Sequence, residues 1–500
     1  MILGTAAAMA AALVTAAGVV QAAARPSNNP GSTHDVVANL FEWNWPSVAT
    51  ECTTVLGPAG YDAVQVAPPQ DSLKRTELGN GSDTILHPWW EVYQPVDYNL
   101  TSRMGNEDQF KSMVKTCRSA GVHVIVDAVI NHMTGQGSLS YGGVTYERYN
   151  YPGVYTQDNF HKFPPPGDCP SASGGIEDFN NQQQVFKCEL LGLADLRTET
   201  AFVRNRLAAY LNKLIGYGVS GFRVDAAKHI GQEDLAAIYA LLNRTQDGTK
   251  PYWALEVFGG GPGTLSPQAF TSVGSVLGLD ADKQIQAAFK SYPAEHVGSI
   301  ATLKIFGEGS GLPPSDKTLV FVQNHDTERN GDALNYKDGA TNVIANEFIL
   351  AYGYGRPQVY SGFEWNTSND SPPSDANGMV TDTDCSSGWA CVDRNQGVLN
   401  MVGWHNYVGS AARANWWDDG ANVISFSRGH RGWIAINNGT AAKTITVQTG
   451  LSVGTYCDII HGTASGGSCS GPTVTVGAGG TATVTVPAKD AVAADGQSKL

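Results

Sequence analysis

Residues 106–127 read NEDQFKSMVKTCRSAGVHVIVD, and this stretch carries the pattern that decides the fold. Four apolar residues fall at positions i, i+3, i+4 and i+7, which is one face of a helix: Phe110, Met113, Val114 and Cys117. Asn106 is a residue type that caps the start of a helix, and Gly121 is a residue type that ends one. Residues 122–126 then predict a buried strand, and Asp127 follows at its end.

This alternation of strand and helix recurs over residues 35–400. Apolar runs of strand length occur at 36–41, 63–66, 122–126, 219–224, 253–255, 319–322 and 358–360. An eighth strand is placed at 271–276, where the pattern is weaker, and a second helical stripe covers 199–216. Alternation over this length predicts a TIM-type (β/α)8 barrel with its helices outside, and a doubly wound open sheet is the alternative.

Two segments depart from this rhythm. Residues 133–192, after the third strand, are rich in Gly, Tyr, Asn and Pro and show no helical period, which predicts an inserted loop-rich domain at the barrel rim. From residue 409 onwards, alternating polar and apolar residues predict an antiparallel β-sandwich. The predicted units are a signal segment, a two-part barrel, the insertion, the C-terminal domain and a disordered tail: 1–24, 35–132 with 193–408, 133–192, 409–488 and 489–500.

The charge and the N-terminus bear on where the protein acts. Lys and Arg number 32 against 46 Asp and Glu, a net charge of −14, which argues against nucleic acid or an anionic membrane as a partner. Residues 2–24 are almost entirely apolar or small and end in Ala22-Ala23-Ala24, which predicts a secretory signal peptide and a secreted protein. A membrane anchor is the alternative for this segment.

The chain has eight cysteines, an even number that predicts disulfides in an exported protein. Sequence spacing alone does not determine how eight cysteines pair. Two pairs are close enough along the chain to suggest themselves, Cys385 with Cys391 and Cys457 with Cys469. Because no C-x-x-C pattern occurs, a zinc site is disfavoured.

Acidic residues directly follow four of the strand-like runs: Asp127, Asp225, Glu256 and Asp326. In a parallel barrel the C-terminal ends of the strands share one rim, where catalytic groups lie. Glycoside cleavage needs two carboxyl groups, and its positively charged transition state gains from further negative charge nearby. Several acids on one rim therefore favour catalysis, and glycoside cleavage is a reaction that uses such a set.

Four stretches show a family resemblance: residues 127–132 (DAVINH), 221–229 (GFRVDAAKH), 255–257 (LEV) and 321–326 (FVQNHD). They resemble, in order, the four signature regions of glycoside hydrolase family 13. Residues 39–486 as a whole resemble the animal-type alpha-amylases and their secreted bacterial relatives. The resemblance implies a barrel enzyme that cuts internal α-1,4 bonds of starch and maltooligosaccharides with retention, and it implies a monomer.

The resemblance also implies roles for individual residues. Asp225 matches the nucleophile, Glu256 the general acid/base and Asp326 the transition-state stabiliser. Arg223, two residues before Asp225 on the same side of the strand, would keep Asp225 ionised at neutral pH. The positions matching sugar-binding residues are Trp89, Trp90, Tyr93, His132, Lys228, His229 and His325.

Ca2+ is the implied cofactor. The matching oxygen ligands are the side chains of Asn131 and Asp195, the backbone carbonyl of His229 and a carbonyl near Phe186. The implied disulfides are Cys52–Cys117, Cys169–Cys188, Cys385–Cys391 and Cys457–Cys469. Animal relatives also bind chloride through two arginines, but Gln358 occupies the second position here and Arg356 is out of phase, which puts chloride activation in doubt.

Two alternatives to an endo-acting hydrolase remain open. A glucan transferase or an exo-acting maltooligosaccharide producer would use the same fold and differ in cleft shape and water access. A non-catalytic carbohydrate-binding protein on the same barrel would be expected to have lost at least one of the three acids. All three are present, so catalysis is favoured.

Overall fold

The computed structural model describes residues 33–79, 84–162, 167–259, 261–290 and 298–500. The predicted signal peptide, residues 1–24, lies outside these ranges. Within them, no helix combines the length and the apolar character needed to cross a bilayer.

Eight parallel strands form a closed barrel. They are β1 Val37–Leu40, β2 Ala63–Val66, β3 His123–Ala128, β4 Gly221–Val224, β5 Tyr252–Leu255, β6 Ser275–Leu277, β7 Thr318–Phe321 and β8 Arg356–Phe363. Each strand pairs with the next in the sequence, and β1 also pairs with β8, with Val37 opposite Gln358. This last pairing closes the sheet, so the predicted barrel is confirmed and the open doubly wound sheet is excluded.

Eleven α-helices occur in the described part of the chain. They are α1 Trp45–Glu51, α2 Gly57–Ala59, α3 Glu107–Ser119, α4 Gln182–Lys187, α5 Ala201–Tyr217, α6 Gln232–Ala240, α7 Pro267–Phe270, α8 Leu279–Phe289, α9 Thr327–Asn330, α10 Ala340–Tyr352 and α11 Gln396–Val408. The Asn106 side chain caps α3 by accepting a hydrogen bond from the backbone N–H of Gln109. The side chain of Gln109 in turn accepts a hydrogen bond from the backbone N–H of Asn106. The four apolar residues of the predicted α3 stripe are all buried.

The sixth strand was predicted at residues 271–276, but it spans Ser275–Leu277 and shares only the last two residues of that range. Ser266 caps α7, and the backbone N–H of Gly274 still donates to the Phe270 carbonyl at 3.2 Å. Phe270 is fully buried and anchors this turn. The chain therefore enters β6 only at Ser275.

The segment between β3 and α5 lies over the rim of the barrel. In its described part, α4 is the only α-helix. Isolated bridges join it to the chain before α5, with His132 opposite Asp195 and Phe160 opposite Leu196. These contacts hold the segment against the end of β3 that bears Asp127.

The C-terminal region is antiparallel. After the short β9 Trp389–Ala390, its strands are β10 Arg413–Asp418, β11 Val423–Arg428, β12 Gly432–Asn437, β13 Lys443–Gln448, β14 Gly454–Cys457, β15 Ala464–Ser465, β16 Ser468–Cys469, β17 Thr473–Val476, β18 Thr481–Val486 and β19 Asp490–Asp495. The sheet order β10-β11-β12-β19 is flanked by the pairs β13–β18, β14–β17 and β15–β16.

The prediction of a disordered tail from residue 489 is wrong. Residues 490–495 form β19, which pairs with all six residues of β12. Ala491 and Ala493 face the core shared with the barrel, whereas Val492 and Ala494 face the second core of the C-terminal domain. Because the buried residues on both faces are mostly alanine, the strand lacks a marked hydrophobic alternation in the sequence.

Four disulfides join the eight cysteines: Cys52–Cys117, Cys169–Cys188, Cys385–Cys391 and Cys457–Cys469. These are the pairs that the family resemblance implies. Cys52–Cys117 ties the turn after α1 to α3, and Cys169–Cys188 closes a loop within the inserted segment.

Candidate active site

Arg223 lies at the centre of the candidate site, near the C-terminal end of strand β4. Its Nη1 donates hydrogen bonds to Asp225 Oδ1 at 2.6 Å and to Asp127 Oδ1 at 2.8 Å, and its Nη2 donates to Glu256. The Tyr93 hydroxyl donates to the other Asp127 oxygen at 2.8 Å. The structure thus brings three of the four predicted strand-end acids, from β3, β4 and β5, onto one guanidinium.

The burial of these groups determines their protonation. Arg223 is 1% exposed and Asp225 is 8% exposed. Burial raises the pKa of Asp225 to about 6, while the charge of Arg223 opposes that rise. Burial also raises the pKa of Glu256 above its ordinary value, again against Arg223. With a pKa of about 6, Asp225 is mainly ionised at pH 7.

The third acid, Asp326, follows β7 on a tight turn. The Asn324 side-chain oxygen accepts hydrogen bonds from the backbone N–H groups of Asp326 at 3.0 Å and Thr327 at 2.9 Å, which fixes this turn. About a third of the Asp326 side chain, 34%, remains exposed. Burial of the rest and the charge of Glu256 raise the pKa of Asp326.

His325 is held between two aromatic rings. Its imidazole stacks on Phe41 at 4.6 Å and on Tyr93 at 5.1 Å between ring centroids. Its Nε2 lies 3.2 Å from Asp326 Oδ2. Burial lowers the pKa of His325 well below its ordinary value, so the ring is neutral at pH 7 and Nε2 can donate a hydrogen bond.

The two tryptophans predicted to bind sugar lie at different distances from this centre. Trp89 lies edge-on to Tyr93 at 5.6 Å and to His325 at 5.3 Å. Trp90 is further out, with Arg75 5.4 Å from its ring and its Nε1 donating to Asn369. Both rings are only partly buried, which leaves surface for a sugar to stack on.

His132, His229 and Lys228 lie close to Tyr93 and Glu256 in space, and the backbone N–H of Lys228 donates to the Glu256 carbonyl at 3.0 Å. His132 Nε2 donates to the Tyr93 carbonyl at 3.0 Å, and burial lowers its pKa to about 4. Burial also lowers the pKa of His229 to about 4. Lys228 Nζ donates to the Phe258 carbonyl at 3.0 Å. Both imidazoles are neutral at pH 7 and can exchange hydrogen bonds with sugar hydroxyls.

The predicted calcium ligands lie where the inserted segment meets the barrel. Asn131 and Asp195 are both buried, with Asn131 Nδ2 3.3 Å from Asp195 Oδ1. His229 Nδ1 donates to the Val185 carbonyl at 3.1 Å, which brings the chain beside Phe186 to His229. In the described ranges, no three His, Cys, Asp or Glu residues are arranged to hold a metal ion.

Gln358 stands where the animal relatives carry their second chloride-binding arginine, and its side-chain amide pairs with that of another glutamine. Gln358 Nε2 donates to Gln65 Oε1 at 2.9 Å. Arg356 lies at the start of β8, where its guanidinium donates to the Asp35 carbonyl and to Asp62 Oδ2 at 2.6 Å. Its charge is therefore directed at the opposite end of the barrel from Arg223.

Three residues that lie at this site were not among the predicted site residues. Phe41 supplies one of the rings that stack on His325. Phe179, from the inserted segment, is 48% exposed and lies edge-on to His229 at 6.4 Å. Arg329, just after Asp326, lies among the aromatic rings on the Trp89 side. Phe179 comes from a stretch without periodicity, so only its tertiary position identifies it.

Comparisons with known proteins show the family of this chain. Residues 59–248 match the family model described as the alpha amylase catalytic domain, and residues 415–495 match its C-terminal all-beta domain. An alpha-amylase of Thermomonospora curvata is 43% identical over 93% of this chain and 74% of its own length. The pancreatic alpha-amylase of Sus scrofa is 38% identical over 94% of this chain and 95% of its own.

Solved structures agree as well. A mutant of alpha-amylase I from Eisenia fetida, in complex with maltohexaose, is 36% identical, with a TM-score of 0.85 over 92% of this chain and 97% of that chain. Identity at this level over nearly the whole chain, together with three acids at the ends of β4, β5 and β7, shows common descent and a shared barrel. The chain therefore belongs to the alpha-amylase family of glycoside hydrolases.

Proposed function

We propose that this protein is an endo-acting alpha-amylase that hydrolyses internal α-1,4 bonds of starch with retention of anomeric configuration. The observation that carries the proposal is the placement of Asp225 and Glu256 on the two terminal nitrogens of Arg223. Retaining glycosidases use a pair of carboxyl groups roughly 5 Å apart, one as nucleophile and one as acid/base. The match of residues 221–229 and 255–257 to the family's signature regions assigns the nucleophile role to Asp225 and the acid/base role to Glu256.

In the first step, Asp225 attacks the anomeric carbon as a carboxylate. The bond between that carbon and the glycosidic oxygen breaks, and Glu256 donates its proton to the departing oxygen. A covalent ester between the sugar and Asp225 results. The mainly ionised state of Asp225 at pH 7 and the raised pKa of Glu256 suit these two roles.

In the second step, Glu256 takes a proton from water, and the water oxygen attacks the same carbon. The ester bond breaks, which regenerates the Asp225 carboxylate and releases a sugar with its original α configuration. Asp326 lies beside the reacting sugar and stabilises positive charge at both transition states. The neutral imidazoles of His132, His229 and His325 bond to sugar hydroxyls.

Trp89, Trp90 and Tyr93 form the stacking surface on one side of the cleavage point, and Lys228 lies on the leaving-group side. A glucan chain crossing this rim is the substrate class we infer, because aromatic faces bind the C–H faces of sugars. The maltohexaose bound to the Eisenia fetida mutant supports the same substrate class.

We infer a Ca2+ ion at Asn131, Asp195, the His229 carbonyl and a carbonyl near Phe186. The buried amide and carboxylate are hard oxygen donors of the kind that Ca2+ prefers. Burial raises the pKa of Asp195 to about 6, so a cation beside it would favour the ionised form. When bound, the ion would join the inserted segment to the barrel and stabilise the His229 side of the cleft.

Secretion completes the proposal. Four disulfides are typical of proteins from oxidising compartments, and the apolar segment 2–24 fits a signal peptide. We expect a monomer that acts on extracellular starch without chloride activation, because Gln358 bonds to Gln65 where a second arginine would be needed.

Proton NMR of soluble starch during digestion tests this proposal. Fresh α-anomers of mixed chain length support retaining endo-hydrolysis, and fresh β-anomers would contradict the nucleophile role of Asp225. Products of a single short length would indicate an exo-acting enzyme, and redistribution of chain lengths without new reducing ends would indicate a transferase. Asp225→Asn should abolish hydrolysis while starch binding persists.

A further inference from the structure

Arg329 is a buried cation beside the candidate active site that the proposed mechanism does not use. It belongs to α9, the short helix that starts directly after Asp326. Its side chain is only 4% exposed. Burying a guanidinium is costly unless its charge and its donors are matched, so the contacts of Arg329 indicate what it holds in place.

The polar contacts of Arg329 tie the catalytic turn to the barrel wall. Its Nη1 donates to the backbone carbonyl of His325 at 2.6 Å and also to the Glu328 carboxylate. Glu328 in turn accepts a hydrogen bond from the Tyr360 hydroxyl, on β8, at 3.0 Å. Because the His325 carbonyl belongs to the peptide group that leads into Asp326, Arg329 fixes the plane from which the Asp326 side chain projects.

The remaining surface of the guanidinium lies among four aromatic rings. Its central carbon is 4.8 Å from the centroid of Phe363, 5.5 Å from Trp365 and 5.6 Å from both Phe41 and Trp89. A planar cation among aromatic rings gains energy from several of them at once. Because Arg329 contacts both Trp89 and Phe41, it sets the spacing between these two rings.

Two of these four rings also contact His325. Phe41 stacks on the imidazole, and Trp89 meets it edge-on at 5.3 Å. We propose that Arg329 is a positioning residue that locks the His325–Asp326 turn and the Trp89 stacking surface into one rigid unit. This inference rests on the proposed function, since it assigns Arg329 a part in orienting the transition-state stabiliser and a sugar-stacking ring.

The charge of Arg329 also acts on its neighbours. It opposes the rise in the pKa of Asp326 that burial and Glu256 cause, and it helps to keep His325 neutral. The titratable groups that face Arg329 come from five parts of the chain: Glu42, the turn with His325, Asp326 and Glu328, and Tyr336, Tyr360 and Asp370. Removing the charge should therefore favour the protonated form of Asp326.

Two substitutions separate the geometry of Arg329 from its charge. Arg329→Met keeps most of the side-chain volume but removes both charge and donors. Arg329→Lys keeps the charge but not the planar fork. Lys337→Met is the matched control, because Lys337 lies 3.4 Å from the Trp365 ring on the exposed side of the same aromatic cluster.

The measurements are kcat, KM and the pH profile of kcat on maltoheptaose, together with thermal melting. Arg329→Met should lower kcat by about 10²-fold, the effect of a displacement near 1 Å in a catalytic group. The acid limb of its kcat–pH profile should move to higher pH, because Asp326 is protonated more readily without the charge of Arg329. Arg329→Lys should also lower kcat but should leave the acid limb in place, and Lys337→Met should match the wild type in both.

The outcomes are decisive in either direction. An Arg329→Met protein with wild-type kcat and acid limb would overturn the inference even if it melted earlier, because its role would then be structural only. If Arg329→Met does not fold, a wild-type kcat in Arg329→Lys overturns the inference, and a lowered kcat with an unchanged limb supports it. A wild-type protein that forms no α-anomers would instead refute the proposed function itself.

Discussion

Nη1 of Arg223 lies 2.6 Å from Oδ1 of Asp225, two residues further along the same strand end, and both side chains are buried. The same nitrogen also donates to Asp127, and the second terminal nitrogen donates to Glu256. A single forked cation therefore orients three carboxylates and opposes the effect of burial on their pKa values. A lysine in its place could supply the charge but not this set of directions.

Arg223→Lys should for this reason fold and yet lose activity. We expect kcat/KM on soluble starch to fall by about 10²-fold, because the carboxylates lose their fixed geometry. The acid limb of kcat/KM should move only slightly to higher pH, because lysine keeps the charge that lowers the pKa of Asp225 and loses only the hydrogen bond. A pH profile of kcat/KM measures both effects, and an unchanged kcat/KM would show that the forked geometry of Arg223 is not needed.

Glu256→Gln should affect substrates according to their leaving group. Natural starch bonds need a proton on the departing oxygen, so kcat on starch should fall by about 10³-fold or more. An aryl maltooligosaccharide with an acidic phenol needs no such proton, and its first step should be far less affected. Burst kinetics on both substrates provide the comparison. Equal losses on the two would argue against Glu256 as the general acid.

Calcium removal should lower the melting temperature. A ligand that binds only the folded protein stabilises it by about 2.7 kcal/mol at a hundredfold excess over its Kd. Melting should therefore occur at lower temperature after chelation and recover with Ca2+ but not with Mg2+. Asn131→Ala should show little response to either treatment. If the wild type melts identically with and without Ca2+, the site at Asn131 and Asp195 is wrong.

Phe179 should contribute to binding rather than to chemistry. Its ring is half-exposed and edge-on to His229, where a sugar on the leaving-group side could stack. Phe179→Ala should raise KM for maltoheptaose about fivefold, equivalent to about 1 kcal/mol of stacking, with kcat within twofold of the wild type. Phe202→Ala is the control, because Phe202 is similarly exposed but packs near Tyr155. Equal KM values for the two variants would exclude a binding role for Phe179.

Glu347 should make stability depend on pH. Burial raises its pKa to about 8 from an ordinary value of 4.5. Below pH 4.5, Glu347 is protonated in both the folded and the unfolded state, so it does not change the free energy of unfolding. Between pH 4.5 and 8 only the unfolded state ionises, so this group lowers the free energy of unfolding by up to roughly 1.4 kcal/mol per pH unit.

Glu347→Gln should accordingly melt like the wild type near pH 4.5 and on the order of a few degrees higher at pH 8. Scanning calorimetry at four or five pH values in this range would measure the difference. Glu364→Gln, at an exposed glutamate, is the control and should show no such trend. A constant difference across pH would mean that Glu347 does not titrate between the two states.

Local patterns in the sequence account for most of the fold. The spacing of apolar residues predicted α3 and its Asn106 cap, because helix formation there depends on neighbours three and four positions away. β6 was misplaced because a buried Phe270 extends the preceding turn, and β19 was missed because its buried residues are mostly alanines. In both places, long-range packing decides a segment whose own pattern is weak.

The sequence by itself determined the barrel, the antiparallel C-terminal domain and the acids that follow β4, β5 and β7. These properties follow from short motifs and periodicities that can be recognised in the sequence without the structure. Only the tertiary structure decided that Arg223 binds three carboxylates, that Phe179 faces His229 and that Arg329 joins His325 to Trp89. These contacts join residues far apart along the chain or on different strands, and their geometry depends on the closure of the barrel.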